Sequence, residues 1–523
     1  MADSSGVGRS FQYTGCNMRI GIDFGTTRVV VAAVDRGNFP LVNFETPEGE
    51  PQDWFPPIVA IRGEARLYGW EAVAAESDPS WTVLRSLKRW LRSADPHTTV
   101  DAGGQPLPLR QLMAEMMSAL RLQLERHSNL LLKKGEPIEA MLGVPASANS
   151  NQRFLTEEAA QAAGFIVLGL INEPSAAAIE FAHRNSDERK TRAGSGLVVY
   201  DLGGGTFDVS LVTMGETEHV VEATDGIPNL GGDDFDEILA ILALASVGPH
   251  RDLNAAERFR LLEECREKKE TLNPNTRKVT LDMDRVREGW QQVTIPVDEY
   301  YERCRPLIES TREAVERLLT FHESGSLDTL YVTGGGAELP PVARILRETF
   351  GRKVRRSAYM RSASAIGLAI RAAAAADTLR EQFNQNFGIW READSGANIT
   401  FDLIFPRGMA LPVEGQPPLK AERTYQPAHN IGHFRYLECS RLNPEGQPTG
   451  EITNWDQILF PFDSALESVT DLAAVPIEKL TQPHGIHIRE EYTCDTAGNV
   501  RAVITAMPSG FTRAFTIAHS ASR

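Results

Sequence analysis

Near the start of the chain lies the sequence Arg19-Ile-Gly-Ile-Asp-Phe-Gly-Thr-Thr-Arg-Val-Val-Val-Ala-Ala-Val-Asp35, and its pattern returns in Leu197-Val-Val-Tyr-Asp-Leu-Gly-Gly-Gly-Thr-Phe-Asp-Val-Ser-Leu-Val212. Each segment is an apolar run rich in β-forming residues, then Asp, then a turn of Gly and Thr, then a second apolar run. This pattern predicts a β-hairpin with a carboxylate at the entrance of its turn. Two copies indicate a duplication, with one copy in each lobe of a two-lobed domain.

Strand and helix patterns alternate around the two hairpins. A third glycine-rich turn, Thr333-Gly-Gly-Gly-Ala337, follows a strand-like run and precedes a helical one. The predicted elements are a strand at 140–144, a helix at about 151–163, a strand at 166–171, a helix at 174–182, a strand at 329–332, and helices at 340–349 and 363–376. Alternation of this kind is typical of α/β domains.

Beyond about Gly388 the helical periodicity fades. Short alternating runs separated by Pro and Gly turns replace it, at 399–404, 433–439, 485–492, 500–506 and 514–518. Such runs predict a small antiparallel β-sandwich. Four aromatic residues could line a peptide groove, but we expect them in the core of the sandwich: Trp390, Trp455, Phe460 and Phe462. The predicted organisation is a flexible leader over 1–17, an α/β domain over 18–376, a linker over 377–387 and an all-β domain over 388–523.

The composition excludes several classes of protein. The chain has 523 residues, 42% hydrophobic and 24% charged, which is typical of globular domains and excludes wholesale disorder. Its 54 basic and 70 acidic side chains leave a net charge of −16, so we expect neither nucleic acid nor an anionic membrane as a partner. Few cysteines, without a Cys-x-x-Cys pair, and a polar N-terminus without an apolar signal segment predict a cytoplasmic protein.

The paired turns suit a polyphosphate. Glycine removes the side chain, so backbone N–H groups approach phosphate oxygens closely, and threonine adds a hydroxyl donor. Asp23 and Asp201 precede the two turns, and two facing carboxylates suit a hydrated Mg²⁺ that also binds phosphate oxygens. The glycines could instead merely close the hairpins, but the second copy with its matching Asp favours phosphate binding. The candidate nucleotide-binding residues of the three turns are Gly25, Thr26, Thr27, Gly203, Gly204, Gly205, Thr206, Gly334, Gly335 and Gly336.

The blocks around the turns resemble those of the heat-shock-70 (DnaK-type) chaperones, within the actin and sugar-kinase superfamily. The phosphate turns carry the likeness to the superfamily. The narrower likeness rests on Leu87-Lys-Arg-Trp-Leu91, Gly143-Val-Pro-Ala-Ser147, Asn151-Gln-Arg153, Ile171-Asn-Glu-Pro-Ser-Ala-Ala-Ala178 and Asn229-Leu-Gly-Gly-Asp-Asp-Phe-Asp236, in family order. The resemblance covers most of 18–376. It implies an actin-like ATPase domain with duplicated ribonuclease-H-like lobes, which binds ATP or ADP with Mg²⁺.

The resemblance also implies roles for individual residues. Lys88 matches the catalytic lysine, whose ammonium would position the attacking water and offset charge in the transition state. Glu173 and Asp201 match carboxylates that hold Mg²⁺ or orient the water, and Thr206 matches a hydroxyl near the γ-phosphate. Asp23 and Asp201 would hold the metal through water.

Other matches lie away from the phosphates. Lys269 matches a nucleotide-binding lysine, and Pro145 and Arg153 match a switch pair that couples nucleotide state to the second domain. From the residues alone, Lys88 reads as a solvated lysine on an amphipathic helix. Glu173 reads, on the same basis, as a charge at a helix N-terminus.

Several positions depart from the family pattern. The usual adenine-stacking arginine falls at Glu338, the base-contacting glutamate at Arg266 and an aspartate at Arg361, so we expect altered adenine contacts. The apolar linker is replaced by the polar run Thr378-Leu-Arg-Glu-Gln-Phe-Asn384. The residues after the last predicted strand are too few for a helical lid, so we expect fast peptide release.

These observations predict a slow ATPase of heat-shock-70 type. Its nucleotide state would control the binding of an unfolded peptide or a dedicated protein client by the β-sandwich, with co-chaperones as further partners. An alternative is a nucleotide-gated adaptor for one dedicated partner with weak or no ATPase activity, which the polar linker and the missing lid favour. A small-molecule kinase of the same superfamily would need a substrate base and pocket that the sequence does not show.

Overall fold

The computed structural model describes residues 17–94, 97–101, 104–133, 135–185, 194–215, 218–248, 252–321, 327–373, 378–393, 398–413, 415–480 and 485–516. The predicted leader over 1–17 lies outside these residues except for Asn17. By its internal contacts the chain divides into two compact units. The first unit comprises Met1–Arg92, His97–Ser147 and Leu155–Leu379, and the second comprises Ser93–Pro96, Ala148–Phe154 and Arg380–Arg523.

The two predicted hairpins are confirmed, each within its own sheet of the first unit. In each sheet the two hairpin strands pair antiparallel with one another. The first hairpin strand also pairs parallel with a third strand, and a fourth strand pairs parallel with the third. In spatial order, the first-lobe sheet contains Ile166–Asn172, Ile138–Val144, Met18–Phe24 and Val29–Ala33. The second-lobe sheet contains Val354–Arg356, Leu327–Thr333, Ser195–Leu202, Phe207–Met214, Glu218–Ile227 and Thr378–Arg380. The same strand order in both sheets is what a duplicated lobe would produce.

The helices of the first unit cover these sheets, which explains why the hairpin strands are apolar on both faces. The α-helices among the described residues are Trp70–Ala74, Leu87–Trp90, Leu109–Arg126, Ser150–Ala162, Glu173–Arg184, Gly232–Val247, Ala255–Glu270, Val297–Phe321, Pro340–Phe350 and Ala363–Ala372. Small sheets are formed by Phe44–Glu45 with Pro51–Gln52, by Val59–Arg62 with Ala65–Tyr68 and Thr82–Leu84, by Thr99–Asp101 with Pro106–Pro108, and by Lys278–Leu281 with Val293–Pro296. None of the described helices is both long and apolar enough to cross a membrane.

The helix Ala363–Ala372 fixes the position of the helix that begins at Glu173. A Cβ atom on Gly367 would lie 1.8 Å from the carbonyl oxygen of Ala176, so the two helices touch backbone to backbone. Ser364 Oγ also donates a hydrogen bond of 3.3 Å to the carbonyl oxygen of Glu173. Close packing of this kind leaves the N-terminus of the second helix little freedom to move.

The second unit contains two four-stranded antiparallel sheets that share one core. One sheet has the order Asn398–Phe405, Asn386–Ala393, Ile431–Leu442, Pro448–Pro461, and the other has the order Leu419–Tyr425, His487–Cys494, Val500–Met507, Thr512–Thr516. Phe387 and Tyr436 of the first sheet belong to the same buried cluster as Tyr492 and Ala502 of the second. This arrangement is a β-sandwich.

The predicted β-rich character of the C-terminal part is confirmed, but three of its strands were not predicted. Leu419–Tyr425 alternates between half-buried and exposed residues. Asn386–Ala393 and Pro448–Pro461 contain Gly, Pro and polar residues that weaken the pattern. Within the predicted linker, Thr378–Arg380 forms the edge strand of the second-lobe sheet.

Candidate active site

All three glycine-rich turns line one cleft of the first unit. The cleft spans about 840 Å³, counted with its opening to solvent, and Lys88 and Glu173 lie in its wall. Its convergent polar groups are those of a small-molecule site.

The first two turns approach one another so closely that Gly204 and Gly205 leave no room for a side chain. A Cβ atom on Gly204 would lie 2.7 Å from Thr27 Oγ1, and one on Gly205 would lie 2.6 Å from Thr26 Oγ1. The turn of the first hairpin therefore packs directly against the turn of the second. Closely packed glycine turns are the kind of backbone arrangement that anion sites use.

The third turn is held against the second-lobe hairpin by Gly334. Its φ is +90°, and a Cβ atom on it would lie 2.2 Å from the carbonyl oxygen of Leu202 and 2.5 Å from Asp201 Oδ1. Both the dihedral angle and the contact require glycine at this position.

A buried ion pair between Lys88 and Glu173 lies in the cleft. The ammonium hydrogen-bonds the carboxylate, and the two side chains are only 6% and 8% exposed. Burial lowers the pKa of Lys88, but the negative charges of Glu173 and Asp23 outweigh it, so that the pKa is raised overall. Lys88 is therefore a buried, charged group, which contradicts the reading of a solvated lysine.

The carboxylates of the two hairpins lie close to this ion pair. Burial and then the charge of Glu173 raise the pKa of Asp23 to about 7, although Lys88 lowers it. Burial and the charges of Glu173 and Asp23 raise the pKa of Asp201 well above its usual range. Because carboxylates repel one another where water is excluded, this cluster favours a bound cation.

The short helix Leu87–Trp90 is tied to the start of the helix Gly232–Val247. Ser86 Oγ donates to Asp233 Oδ2 at 2.7 Å, and Arg89 Nη2 donates to Asp234 Oδ2 at 2.6 Å. Ser86 has φ of 60°, a left-handed conformation that a non-glycine residue adopts only where its surroundings impose it. These contacts set the direction from which Lys88 enters the cleft.

Charged residues also line the part of the cleft beside the third turn. Lys269 Nζ lies 2.8 Å from Asp236 Oδ1 and donates to the carbonyl oxygen of Gly232 at 2.7 Å. Arg361 forms ion pairs with Glu338 and Glu270. The charges that depart from the family pattern at 338 and 361 thus contact one another.

A second cavity, of about 1540 Å³ counted with its opening to solvent, lies in the second unit. Trp390 and Phe462 line it. Phe462 is also buried in the core with Trp455 and Phe460, as predicted, whereas Trp390 is only half-buried. Arg391 also lines the cavity.

The charges of this cavity wall compensate one another. Arg391 Nε lies 2.6 Å from Asp402 Oδ2, and Arg391 Nη2 lies 2.7 Å from Glu490 Oε2. Nε of Arg435 is buried without a hydrogen-bond partner among the described residues. The cavity therefore combines aromatic walls with a charged lining.

Comparison with known proteins identifies the family. A family model described as "Hsp70 protein" matches residues 19–382. The chain belongs to the Hsp70 family. Its first unit accordingly has the actin-like ATPase fold, as the sequence predicted.

Curated relatives of this Hsp70-family chain agree with the assignment. A "Heat shock 70 kDa protein" of Emericella nidulans is 30% identical over 381 residues, which is 68% of this chain and 58% of that protein. A "Chaperone protein HscA homolog" of Methylibium petroleiphilum is 31% identical over 375 residues, which is 68% of this chain and 57% of that protein. The chain thus matches little more than half the length of these relatives.

The structure of this Hsp70-family chain brings most of the predicted site residues together. Those that line the one cleft are Asp23, Gly25, Thr26, Thr27, Lys88, Glu173, Asp201, Gly203, Gly204, Thr206, Lys269, Gly334, Gly335 and Gly336. Gly205 is instead buried against Thr26. Pro145 is buried in the first unit, directly after the strand Ile138–Val144. Arg153 belongs to the second unit, where Nη1 donates to the carbonyl oxygen of Ala497 at 3.2 Å.

Arg28 and Glu270 are among the residues of the cleft wall that sequence reasoning missed. Arg28 Nη2 lies 2.5 Å from Glu270 Oε2. The one available signal is adjacency, since Arg28 follows Thr27 and Glu270 follows Lys269. Nothing in the local pattern indicates that the two side chains meet.

The third turn provides a test of this geometry. We expect Gly334→Ala to destabilise the first unit by roughly 1–3 kcal/mol, because the added methyl group collides with backbone and the left-handed φ becomes strained. The matched control is Gly335→Ala, where the new Cβ would lie 3.7 Å from Arg361 Cγ, an ordinary contact. Thermal unfolding without ligand measures both. Equal midpoints for the two variants would show that the turn does not pack as described.

Proposed function

We propose that the first unit binds ATP or ADP with Mg²⁺ and slowly hydrolyses ATP. The observation that carries this proposal is the buried ion pair of Lys88 and Glu173 beside Asp23 and Asp201, within a cleft lined by three glycine-rich turns. Buried, interacting ionisable groups in a cleft are typical of catalytic sites. The turns would bind the phosphates through backbone N–H groups and the hydroxyls of Thr26, Thr27 and Thr206.

The residues present fit a magnesium ion bound together with a phosphate. Among the described residues there is no group of three or more His, Cys, Asp or Glu side chains arranged to hold a metal. Mg²⁺ needs only one or two carboxylates when phosphate oxygens and waters complete its shell. Asp23 and Asp201 would hold it, through water. The ion would offset negative charge on the phosphates.

Each charged side chain then has a defined task. Lys88 would position the attacking water and offset the charge that develops on the transferred phosphate. Glu173 would hold the ammonium of Lys88 and orient the water. Thr206 would place its hydroxyl near the γ-phosphate.

For the second unit, we propose that the cavity lined by Trp390 and Phe462 binds a peptide segment of a client protein. Trp390 and Phe462 would supply apolar contact, since aromatic side chains dominate such interfaces. Pro145 and Arg153 would transmit the nucleotide state, and co-chaperones would act on the cycle. In this proposal the protein is a cytoplasmic chaperone.

A second candidate function is an adaptor for one dedicated partner. The charged wall formed by Arg391, Asp402 and Arg423 favours it, because a site with charges placed in this way discriminates among ligands. A panel of unrelated unfolded peptides separates the two candidates. Binding of many peptides supports a chaperone, and co-purification of a single protein supports an adaptor.

The role of Lys88 is tested by Lys88→Ala. We expect ATP hydrolysis to fall by about 100-fold or more while ATP affinity stays within about 10-fold, since the ammonium acts mainly in the transition state. Single-turnover phosphate release and equilibrium binding measure the two effects. Lys353→Ala, at an exposed lysine, is the matched control.

A further variant distinguishes a folding defect from the loss of the Lys88 ammonium. Lys88→Ala leaves Glu173 buried without its partner, so the double variant Lys88→Ala/Glu173→Gln removes both charges and should unfold at a higher temperature than the single variant. Hydrolysis by Lys88→Ala at the wild-type rate would refute the role of Lys88. Absence of any nucleotide binding by the wild type would refute the proposed function.

The peptide site is tested by Trp390→Ala. We expect peptide affinity to fall roughly 10-fold, because a half-buried aromatic wall is lost. Fluorescence anisotropy of labelled peptides measures it. The control is Ile452→Ala, which removes an exposed apolar side chain that does not line the cavity. If both variants bind peptides equally well, the cavity is not the site.

A further inference from the structure

Three charged side chains of the nucleotide cleft wall, Arg28, Glu270 and Arg361, form a continuous chain of ion pairs that extends to Glu338. Arg28 Nη2 lies 2.5 Å from Glu270 Oε2, and the same carboxylate oxygen lies 2.9 Å from Arg361 Nη1. Arg361 Nε lies 2.8 Å from Glu338 Oε2, and Nη2 of Arg361 also contacts this oxygen. The charge changes at 338 and 361 are therefore parts of one arrangement.

This arrangement holds the guanidinium of Arg361 by its edges. Nε and Nη2 bind Glu338, and Nη1 binds Glu270. The side chain passes beside Gly335, where a Cβ atom would lie 3.7 Å from Cγ and 3.9 Å from Nε of Arg361. A planar group whose edges are occupied offers a ligand its faces.

The other arginines of the cleft wall are less available. Arg28 lies 4.8 Å above the ring of Trp54, so one face of its guanidinium is already covered. Arg266 binds Glu263 through Nε and Nη2. The side chain of Arg361 is 29% exposed, against 18% for Arg28 and 15% for Arg266.

We propose that the base of the bound nucleotide stacks on the face of Arg361, and that this subsite therefore accepts purine nucleotides with little regard to the identity of the base. Glu338 and Glu270 are positioning residues that hold the guanidinium flat. The proposal rests on the proposed nucleotide binding and deepens it.

The physical basis is the difference between contacts to a face and contacts to an edge. Every base has a π-face, so stacking on a planar cation tolerates any base. Strong discrimination requires a hydrogen bond to groups that one base has and another lacks. Arg361 has its N–H groups engaged by Glu338 and Glu270, which leaves stacking as its contribution.

The experiment compares ATP, GTP and inorganic tripolyphosphate, which lacks a base, by equilibrium binding to the full chain in the presence of Mg²⁺. We expect ATP and GTP to bind the wild type within about 10-fold of one another and both more tightly than tripolyphosphate. Arg361→Ala should weaken ATP and GTP alike by roughly 10- to 100-fold and leave tripolyphosphate unchanged. Arg356→Ala, at an exposed arginine of the same region, is the matched control.

Conservative variants separate stacking from a merely structural charge. Arg361→Lys keeps the charge but has no planar face, so it should bind ATP as weakly as Arg361→Ala does. Glu338→Gln should give an intermediate loss for both purine nucleotides. Full rescue by lysine would overturn the proposal, as would an Arg361→Ala variant that binds ATP as tightly as the wild type.

Two further outcomes have distinct meanings. A preference of the wild type for ATP over GTP of 100-fold or more would overturn base-independent selection while leaving nucleotide binding intact. Failure of the wild type to bind ATP, GTP and tripolyphosphate alike would overturn the proposed function itself. Both results are measured on the wild type, so neither is confused with the loss of nucleotide affinity that Arg361→Ala causes.

Discussion

The site depends on one buried ion pair, Lys88 with Glu173. Burying two charges is expensive, and their attraction alone often fails to offset the lost hydration, so such a pair is weak evidence for stability. It persists here because the structure around it is rigid: helix Ala363–Ala372 pins the backbone at Glu173, and Asp233 and Asp234 hold the segment that carries Lys88. The carboxylates of both hairpins then gather around a single ammonium, a cluster better suited to chemistry than to folding.

The two parts of the cleft are built on different principles. Beside the hairpins, the glycine turns pack against one another, and Lys88 and the buried carboxylates face the cleft. Beside the third turn, whose glycines also line the cleft, Arg361 is held between Glu338 and Glu270. Backbone geometry tolerates little change without loss of the turn, whereas charged side chains can be exchanged as long as each retains an opposite partner. Glu338 and Arg361, which depart from the family pattern, lie in the part of the cleft beside the third turn.

The second unit, a β-sandwich, combines an aromatic core with a buried ion pair. Its core is rich in aromatic side chains around Phe387 and Phe460, yet Glu490 is buried completely beside Arg391. A buried carboxylate of this kind requires its partner, because removal of the arginine would leave an uncompensated charge. The cavity next to this pair therefore has a defined electrostatic character as well as apolar walls, and a ligand that enters it must match both.

From the sequence alone, the duplicated hairpins, the three turns and the α/β order of the first unit could be predicted, because each is a local pattern of turn residues and apolar periodicity. The weakly patterned strands Leu419–Tyr425 and Pro448–Pro461 could not, since pairing with neighbours decides them. The tertiary structure decided which charges meet: Lys88 and Glu173 are 85 positions apart, and Arg28 and Glu270 are 242 apart. No local period encodes contacts over such separations, so only the tertiary structure brings Arg361 between Glu270 and Glu338.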